Sequence, residues 1–417
     1  MKFETKSLSQ CLSLVIDRRG VTPKKLGSDW ADTGYRVLSA NNVKSSGLQK
    51  TDEIRYVNKT TYQKWMHTEI QRDDILLTSE APAGEVYVWD SDEKIVVGQR
   101  LYALRVKEDV NPWFLAFYLQ SPKGKAEIKN KCSGSTVFGI SAKTFDSIEI
   151  VLPDKTIQDH IADVLHNINS KIEINNALSS KLEDFTRMVY DYWFLQFEFP
   201  NEEGKPYKSY GGKMVWNEEL KREIPEGWEV NELCKVFDIT MGSSPKGESL
   251  NENHEGIEFY QGSTDFGDLY PVQRVYTTAP VRLAKAQDIL ISVRAPVGDM
   301  NIAMNDCCIG RGLAAVHYRS SLYTWNTLLT LKPYFDIFNG TGTTFGALTS
   351  DGLKQQHIVK PSNIIIEKYI SRISKIELKL RTITIENQQL TSLRDFLLPL
   401  LMNGQVTFKD EVASEEG

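Results

Sequence analysis

The sequence predicts an α+β protein in which two repeated mixed α/β domains are each followed by a long helix. Three observations support this fold class. One ordered set of loop motifs occurs twice, strand-like runs dominate both copies, and a helical apolar period follows each copy. The offset between matched motifs drifts only from about 222 to about 208 residues, so both order and spacing are kept. Two domains on one plan with different side chains predict two related binding surfaces.

The repeated motifs keep their glycines and prolines but differ in their charged and polar side chains. Glu80 and Arg294 occupy one equivalent position, and Gln99-Arg100 matches Arg311-Gly312. The matched segments are residues 20–24 and 242–246, 74–84 and 288–298, 97–101 and 309–313, and 134–136 and 342–344.

Short apolar or alternating runs between turn residues predict the strands of each domain. They lie at residues 35–38, 85–89, 95–97 and 289–293. A shorter helix is expected near 112–119, where Pro112 takes a favourable first helical position, and its counterpart is expected near 323–330. Each copy is therefore a mixed α/β domain of roughly 150 residues with more strand than helix.

After Pro153, and again after Pro361, apolar residues recur in steps of three and four, which predicts two long helices. Roughly 40 residues without a glycine or internal proline exceed an ordinary globular helix, and this favours a coiled-coil seam. A surface helix packed on its own domain is the alternative. The seams are Ile157, Ile161, Val164, Ile168, Ile172, Leu182 and Val189, and then Tyr369, Ile373, Ile376, Leu380, Ile383, Asn387 and Leu390.

Asn387 falls on the apolar seam itself, where a polar residue costs stability but fixes the register of paired helices. With a three-residue gap in the alignment, Asn176 and Leu182 correspond to Asn387 and Leu393. We therefore expect these four residues to take part in helix pairing.

These patterns divide the chain into six segments, of which the last is polar, acidic and expected to be disordered. They are the first domain (1–153), the first long helix (154–198), a turn-rich linker (199–227), the second domain (228–361), the second long helix (362–404) and the tail (405–417).

Composition excludes several classes of protein. The 417 residues are 41% hydrophobic and 25% charged, as in ordinary globular proteins, and contain no membrane-length apolar run or secretion signal. Five unpatterned cysteines indicate reduced thiols and a cytoplasmic location. The net charge is −6, yet the first 150 residues carry about +3, and a local basic face suffices for phosphate contacts.

No motif in the sequence indicates a catalytic or metal site. Residues 242–249 have the glycine spacing of a phosphate-binding loop, but Glu248 stands where that loop requires a lysine. His160 and His166 are six residues apart on a predicted helix and do not share a face. We therefore predict no catalytic residues and no metal ligands.

The loops instead carry residue types that read base edges or hold phosphates, which makes them candidate DNA-binding residues. For any one of them, capping of the local backbone is an equally good explanation. The candidates are Lys24, Lys25, Asn41, Asn42, Glu80, Gln99, Arg100, Lys131, Ser135 and Thr136 in the first domain, and Lys246, Ser263, Thr264, Arg294, Arg311, Thr343 and Thr344 in the second.

Over essentially its whole length the chain resembles the specificity subunit of Type I restriction–modification systems. The second domain opens with Ile-Pro-Glu-Gly-Trp-Glu at 224–229 and continues with Arg-Ala-Pro-Val-Gly at 294–298. Residues 393–404 resemble the second helical spacer of the family, and Asn175-Asn176 with residues 192–194 resembles the first. The first domain departs from the pattern, because Glu80 stands where the second domain has Arg294.

The resemblance implies two target recognition domains, each reading one half of a bipartite, asymmetric DNA sequence. It implies that the two long helices pair as an antiparallel coiled coil, hold the domains apart, and bind two methyltransferase subunits. Translocase/endonuclease subunits would join this complex. No cofactor is expected in this chain; S-adenosylmethionine, ATP and Mg are expected in the partner subunits. Alternatives are the same subunit in a fused restriction–methylation enzyme or another phage-defence complex, and a coiled-coil scaffold that does not bind DNA.

Overall fold

The computed structural model describes residues 3–132, 139–339 and 346–406. The chain forms two compact units, the first comprising residues 1–173 and 388–417 and the second comprising residues 174–387. Each unit therefore contains one copy of the repeat and part of both long helices. Among the described residues, no helix is long and apolar enough to cross a lipid bilayer.

The first unit contains the first eleven strands and four short helices, and the first long helix begins in it. These elements are β1 (Phe3–Ser7), α1 (Leu8–Cys11), β2 (Leu12–Asp17), β3 (Tyr35–Leu38), β4 (Val43–Lys44), β5 (Gly47–Leu48), β6 (Arg55–Val57), α2 (Lys59–Trp65), β7 (Ile75–Thr78), β8 (Val86–Val88), β9 (Val96–Val97), β10 (Leu101–Val106), α3 (Pro112–Gln120), α4 (Pro122–Lys131), β11 (Glu149–Pro153) and α5 (Lys155–Tyr190).

An antiparallel sheet of order β2-β10-β7-β8 forms the centre of the first unit. Because side chains alternate along a strand, the two faces of this sheet pack in two separate hydrophobic cores. Ile75 and Leu77 pack in one core with α3, whereas Leu76 packs in the other core with the sheet β6-β3-β9. Asn111 caps α3 by accepting a hydrogen bond from Phe114 N (3.0 Å), as expected for a helix that begins at a proline.

The second unit contains the remaining elements. They are β12 (Met214–Asn217), β13 (Arg222–Pro225), β14 (Glu229–Glu232), α6 (Leu233–Val236), β15 (Asp238–Met241), β16 (Leu250–Asn251), β17 (Ile257–Tyr260), β18 (Tyr276–Thr277), β19 (Leu283–Ala284), β20 (Ile289–Ser292), β21 (Met300–Ile302), β22 (Cys307–Ile309), β23 (Leu313–His317), α7 (Ser321–Leu329), α8 (Lys332–Asp336), α9 (Ser350–Lys354), β24 (His357–Lys360) and the long helix α10 (Asn363–Met402), which ends in the first unit.

The second unit repeats the strand plan of the first. The sheet β15-β23-β20-β21 has the order of β2-β10-β7-β8, and β17 pairs parallel to β22 as β3 pairs to β9. Corresponding loops also share a hydrogen bond from a backbone amide to the side chain of an aspartate. Asp74 accepts a hydrogen bond from Gln71 N, and Asp288 accepts one from Lys285 N, both at 2.8 Å.

The two long helices pair antiparallel within each unit. In the second unit Tyr369 Oη donates to Thr186 O (3.2 Å). In the first unit Leu401 of α10 packs in the same core as Ile161 of α5, and Arg394 donates to Asn169 (3.3 Å).

The first long helix ends earlier than predicted, and the second contains a proline that was not expected. The first stops at Tyr190, and a π-helical turn follows at Asp191–Leu195. The second contains Pro399, contrary to the expectation of no internal proline. Proline has no amide hydrogen, so the helical hydrogen bond from residue 399 to the carbonyl of Asp395 is missing in the last turn.

The seam of α10 is mostly as predicted, since Tyr369, Ile373, Leu380 and Ile383 are buried. Two of the predicted helix-pairing residues are not buried, although Asn176 does join the two helices, since its Oδ1 accepts a hydrogen bond from Asn387 (2.7 Å). Leu393 is 46% exposed, and on α5 the buried asparagine is Asn175, at 2% exposure, whereas its neighbour Asn176 is exposed. One residue turns a helix by about 100°, so the partner helix decides which of two adjacent asparagines is enclosed.

The predicted linker 199–227 is more ordered than its turn-rich composition indicates. It contains the hairpin β12-β13, and Phe199 stacks on Tyr207 and Trp228 with ring centroids 4.5 and 5.0 Å apart. The segment therefore belongs to the core of the second unit. Of the predicted tail, residues 407–417 lie outside the described residues.

Candidate nucleic-acid interface

Backbone hydrogen bonds bring the candidate loops of the first unit side by side. Gly98 N donates to Leu38 O (2.7 Å), and Ser79 N donates to Arg100 O (2.9 Å). A β-carbon at Gly98 would lie 2.7 Å from Leu38 O, so this approach requires glycine. The loops that meet here are residues 39–42, 79–82 and 98–100. We call this set the first reading cluster.

The second unit has the same arrangement at the equivalent positions. Gly310 N donates to Tyr260 O (2.8 Å), and Val293 N donates to Gly312 O (2.9 Å). The loops that meet are residues 242–246, 261–264, 293–296 and 310–312. We call this set the second reading cluster. The repeat thus preserves the backbone contacts while the side chains differ.

The first reading cluster borders a cavity of about 340 Å³. Trp30 and Trp65 line it with ring centroids 6.5 Å apart, and the guanidinium of Arg55 lies 3.8 Å from the centre of the Trp30 ring. Trp65 is buried, and its indole Nε1 has no hydrogen-bond partner among the described residues. Four predicted site residues line the same cavity: Asn41, Asn42, Gln99 and Arg100.

The two clusters differ most in charge. In the first, Arg100 Nε lies 3.4 Å from Glu80 Oε1, so a carboxylate and a guanidinium are presented together. In the second, Arg294 and Arg311 are both exposed, and Gly312 occupies the position equivalent to Arg100. The first cluster therefore offers both acceptors and donors, whereas the second is richer in donors.

Arg19 lies close to the first reading cluster and stacks on Tyr102, with its guanidinium carbon 4.0 Å from the ring centroid. Hydrogen bonds to Asp17 raise the pKa of Arg19. This ion pair holds the arginine in place beside the cluster.

Asn42 is not available to a ligand, contrary to the prediction. It is 5% exposed, and its Oδ1 accepts from Ser39 N (3.0 Å) and Ser39 Oγ (2.9 Å). Its Nδ2 donates to Gln49 O and Lys50 O at 3.4 Å. The side chain of Asn42 therefore stabilises the loop in which it lies, while the adjacent Asn41 is exposed.

The predicted lysines are at the surface, with different local partners. Lys24 is exposed, and Lys25 Nζ donates to Gly20 O (2.6 Å). Lys131 ends α4, and Lys246 Nζ lies 3.8 Å from Glu248. At these exposures such contacts are weak and leave the lysines available to phosphate.

The second reading cluster includes residues that the sequence analysis did not select. Ser244 Oγ donates to Gln261 Oε1 (2.8 Å) and accepts from Arg311 N (3.3 Å), which links three of the loops. Gln261 follows β17 as Ser39 follows β3, so a fuller alignment of the two copies would have found it. Ser263 and Thr264 lie in the adjoining turn.

Ser135, Thr136, Thr343 and Thr344 lie outside the described residues. The chain beyond each of these segments returns to a reading cluster. Ile140 N donates to Ser79 O (2.8 Å), and Leu348 N donates to Val293 O (2.9 Å).

The arrangement suits recognition by hydrogen bonds and charge. Within the described part of the chain, no group of three or more His, Cys, Asp or Glu side chains is placed to hold a metal ion. The fold and the reading clusters define a protein with two related recognition domains, each followed by one of two paired long helices.

The family model for the Type I restriction modification DNA specificity domain matches residues 2–184 and 225–393, which include both copies of the repeat. The chain therefore belongs to this family. Its role is DNA specificity, and it is a non-catalytic component of such a system. The resemblance inferred from the repeated motifs is thus confirmed.

Similar proteins include specificity subunits from Methanocaldococcus jannaschii. The putative type I restriction enzyme MjaX specificity subunit is 28% identical over 98% of this chain and 94% of its own length. The MjaIX specificity subunit is 27% identical over 81% of this chain and 78% of its own length. A crystal structure of a Type I restriction–modification S subunit from M. genitalium is 16% identical, covers 96% of both chains and has a TM-score of 0.61, which supports the fold.

Proposed function

We propose that this chain binds double-stranded DNA through both reading clusters, each of which reads one half of a bipartite, asymmetric sequence. The observation that carries the proposal is the repeated backbone arrangement with different side chains at equivalent positions, such as Glu80 and Arg294. A shared scaffold with exchanged side chains changes which bases are contacted and leaves the fold intact.

The chemistry of the side chains supports this proposal. Arginine donates two hydrogen bonds to guanine, asparagine and glutamine pair with adenine, and a carboxylate accepts from the amino group of cytosine. The first cluster offers Asn41, Glu80 and Gln99, and the second offers Arg294 and Arg311. The two half-sites are therefore expected to differ in sequence.

An exposed apolar stripe on α5 supports a protein partner. Ile174, Leu178, Phe185 and Met188 are spaced four, seven and three residues apart on one helical face, and Met188 is 61% exposed. Lys181 is the charged residue on this face. A solvent-facing row of large apolar side chains is the kind of surface that another helix covers. We propose that methyltransferase subunits, two in the complete complex, dock on the paired helices.

Partner subunits would carry out the chemical steps. S-adenosylmethionine would bind to the methyltransferase subunits, and ATP and Mg to translocase/endonuclease subunits that join the complex. This chain would determine which DNA sequence the complex binds, and it would bind no cofactor itself. A cytoplasmic location is part of the proposal, because the target DNA lies there.

The direct test is methylome sequencing of a host that expresses this chain together with its methyltransferase partner. We expect methylated adenines within one bipartite motif, present only when both proteins are expressed. A continuous motif, or the same methylation without this chain, would contradict the proposal.

The docking surface is tested separately by co-purification with the methyltransferase. Phe185→Lys and Met188→Lys each place a charge in the apolar stripe and should abolish the complex. The matched control is Ser180→Lys, an exposed position on the polar face of the same helix, which should leave assembly unchanged. Equal loss in all three variants would argue against the stripe.

A further inference from the structure

A basic helix packs beside the first reading cluster. α4 (Pro122–Lys131) carries four lysines and one glutamate. Lys125 and Lys129 are one turn apart on the same side of the helix, and both are exposed. Among the described residues, neither lysine forms an ion pair with a carboxylate.

The remaining charges of α4 lie on its other side. Glu127 is four residues from both Lys123 and Lys131, so it faces both of them and offsets part of their charge. The side that carries Lys125 and Lys129 therefore has an uncompensated double positive charge.

α4 is held against a reading loop. Gly84 closes the loop that contains Glu80, and a β-carbon there would lie 3.1 Å from Cγ2 of Ile128, a buried residue of α4. After α4 the chain returns to the same loop, because Glu80 and Gly139 form a β-bridge. α4 therefore packs against the loop that carries Glu80, a side chain proposed to contact bases, and the phosphates of a bound duplex would lie beside such contacts.

The second unit provides an internal comparison. Gly298 is equivalent to Gly84, and a β-carbon there would lie 2.7 Å from the side chain of Phe335 on α8 (Lys332–Asp336). The lysine of α8, Lys332, pairs with Asp336 at 2.7 Å. The helix in the corresponding place therefore has no net charge.

We infer that α4 binds the DNA phosphate backbone through Lys125 and Lys129, and that the equivalent helix α8 does not. This inference rests on the proposed DNA-binding function and adds an asymmetry to it. The two units hold the duplex differently, with α4 contributing affinity that is independent of sequence and sensitive to salt.

The test compares salt dependence of DNA binding for the full-length chain and for Lys125→Gln/Lys129→Gln. The probes are a duplex with the methylated motif and a scrambled duplex of equal length, titrated between 50 and 200 mM NaCl. The control is Lys375→Gln/Lys379→Gln, which removes two exposed lysines of the same spacing from α10. Glutamine preserves helix propensity, so folding should be retained.

For the α4 variant we expect the slope of log K against log salt to become shallower by about 1.8, or about 0.9 for each lost phosphate contact. Over this salt range the unaltered chain should then lose about tenfold more affinity than the variant. The methylated motif should not change, and the control should keep the original slope.

An unchanged slope in the α4 variant, or an equal change in the control, would overturn the inference while the DNA-binding function stood. Absence of DNA binding by the unaltered chain would instead overturn the proposed function.

Discussion

Asn41 and Asn42 are adjacent in the first reading cluster but have opposite surroundings. Asn42 is enclosed; its amide oxygen accepts hydrogen bonds from Ser39 within the loop, and its amide nitrogen donates to a neighbouring turn at residues 49–50. Asn41 is exposed and lines the cavity beside Gln99. One asparagine therefore shapes the loop, and the other is free to contact a ligand.

We expect Asn42→Ala to destabilise the protein by about 1–3 kcal/mol, because it leaves backbone groups without their partners. Asn41→Ala should leave stability unchanged but alter or weaken recognition at one half-site. Chemical denaturation and methylome sequencing of both variants make the comparison. If Asn42→Ala changed the motif without loss of stability, the assigned roles would be wrong.

Glu183 on α5 links stability to pH. Burial, reinforced by the carboxylates of Asp268 and Asp184, raises the pKa of Glu183 to about 7 from its ordinary value of 4.5. The folded state therefore holds a proton that the unfolded chain releases at lower pH. The stability due to this group is fully present below about pH 4.5 and is lost as the pH rises through about 7.

Glu183→Gln should therefore have little effect at pH 5 and should stabilise the protein at pH 8 by about 1–2 kcal/mol, after allowance for partial solvent screening. Urea denaturation at the two pH values measures this. Glu173→Gln, an exposed carboxylate on the same helix, is the control and should show no such difference. A stabilisation equal at both pH values would exclude titration of Glu183 as the cause.

At the level of elements, three asparagines join the long helices in the second unit. Asn387 donates to Asn176 Oδ1 (2.7 Å), and Asn175 donates to Asn387 Oδ1 (2.8 Å) and to Glu386 (2.8 Å). Such a network costs apolar burial but disfavours shifted registers, in which the amides would lose their partners.

We expect Asn387→Leu to destabilise the paired helices by about 1–3 kcal/mol, since it removes the acceptor of the buried Asn175. The double variant Asn175→Leu/Asn387→Leu should cost less than the sum of the two single variants. A double-mutant cycle read by thermal unfolding measures the coupling. Asn176→Leu, at the exposed position, is the comparison and should have the smallest effect. Strictly additive costs would show that the asparagines act independently.

At the level of the whole molecule, each repeat has its own sheet, core and reading cluster, which predicts modular specificity. Exchange of residues 1–153 for the corresponding domain of a relative should change one half of the methylated motif only. Exchange of residues 228–361 should change the other half. Methylome sequencing of hosts expressing each chimera tests this. A change in both halves after a single exchange would refute independent reading.

The sequence by itself determined the two-domain plan, the main strands and the two long helices, because repeated motifs and apolar periods can be read directly from the order of residues along the chain. The strand predicted at 35–38 is β3, and the helix predicted from Pro112 is α3. The bounds predicted for the second long helix, 362–404, lie close to those of α10, Asn363–Met402.

Tertiary structure decided which individual side chains are available. The approach of Gly98 to Leu38, and of Ser79 to Arg100, assembles the first reading cluster from loops distant in sequence. Asn42 could be distinguished from Asn41 only by its hydrogen bonds to a neighbouring turn. Asn175 is buried instead of Asn176 because a partner helix encloses one side of α5. Local patterns specify elements, but contacts between distant segments decide which polar groups are already satisfied and which can bind.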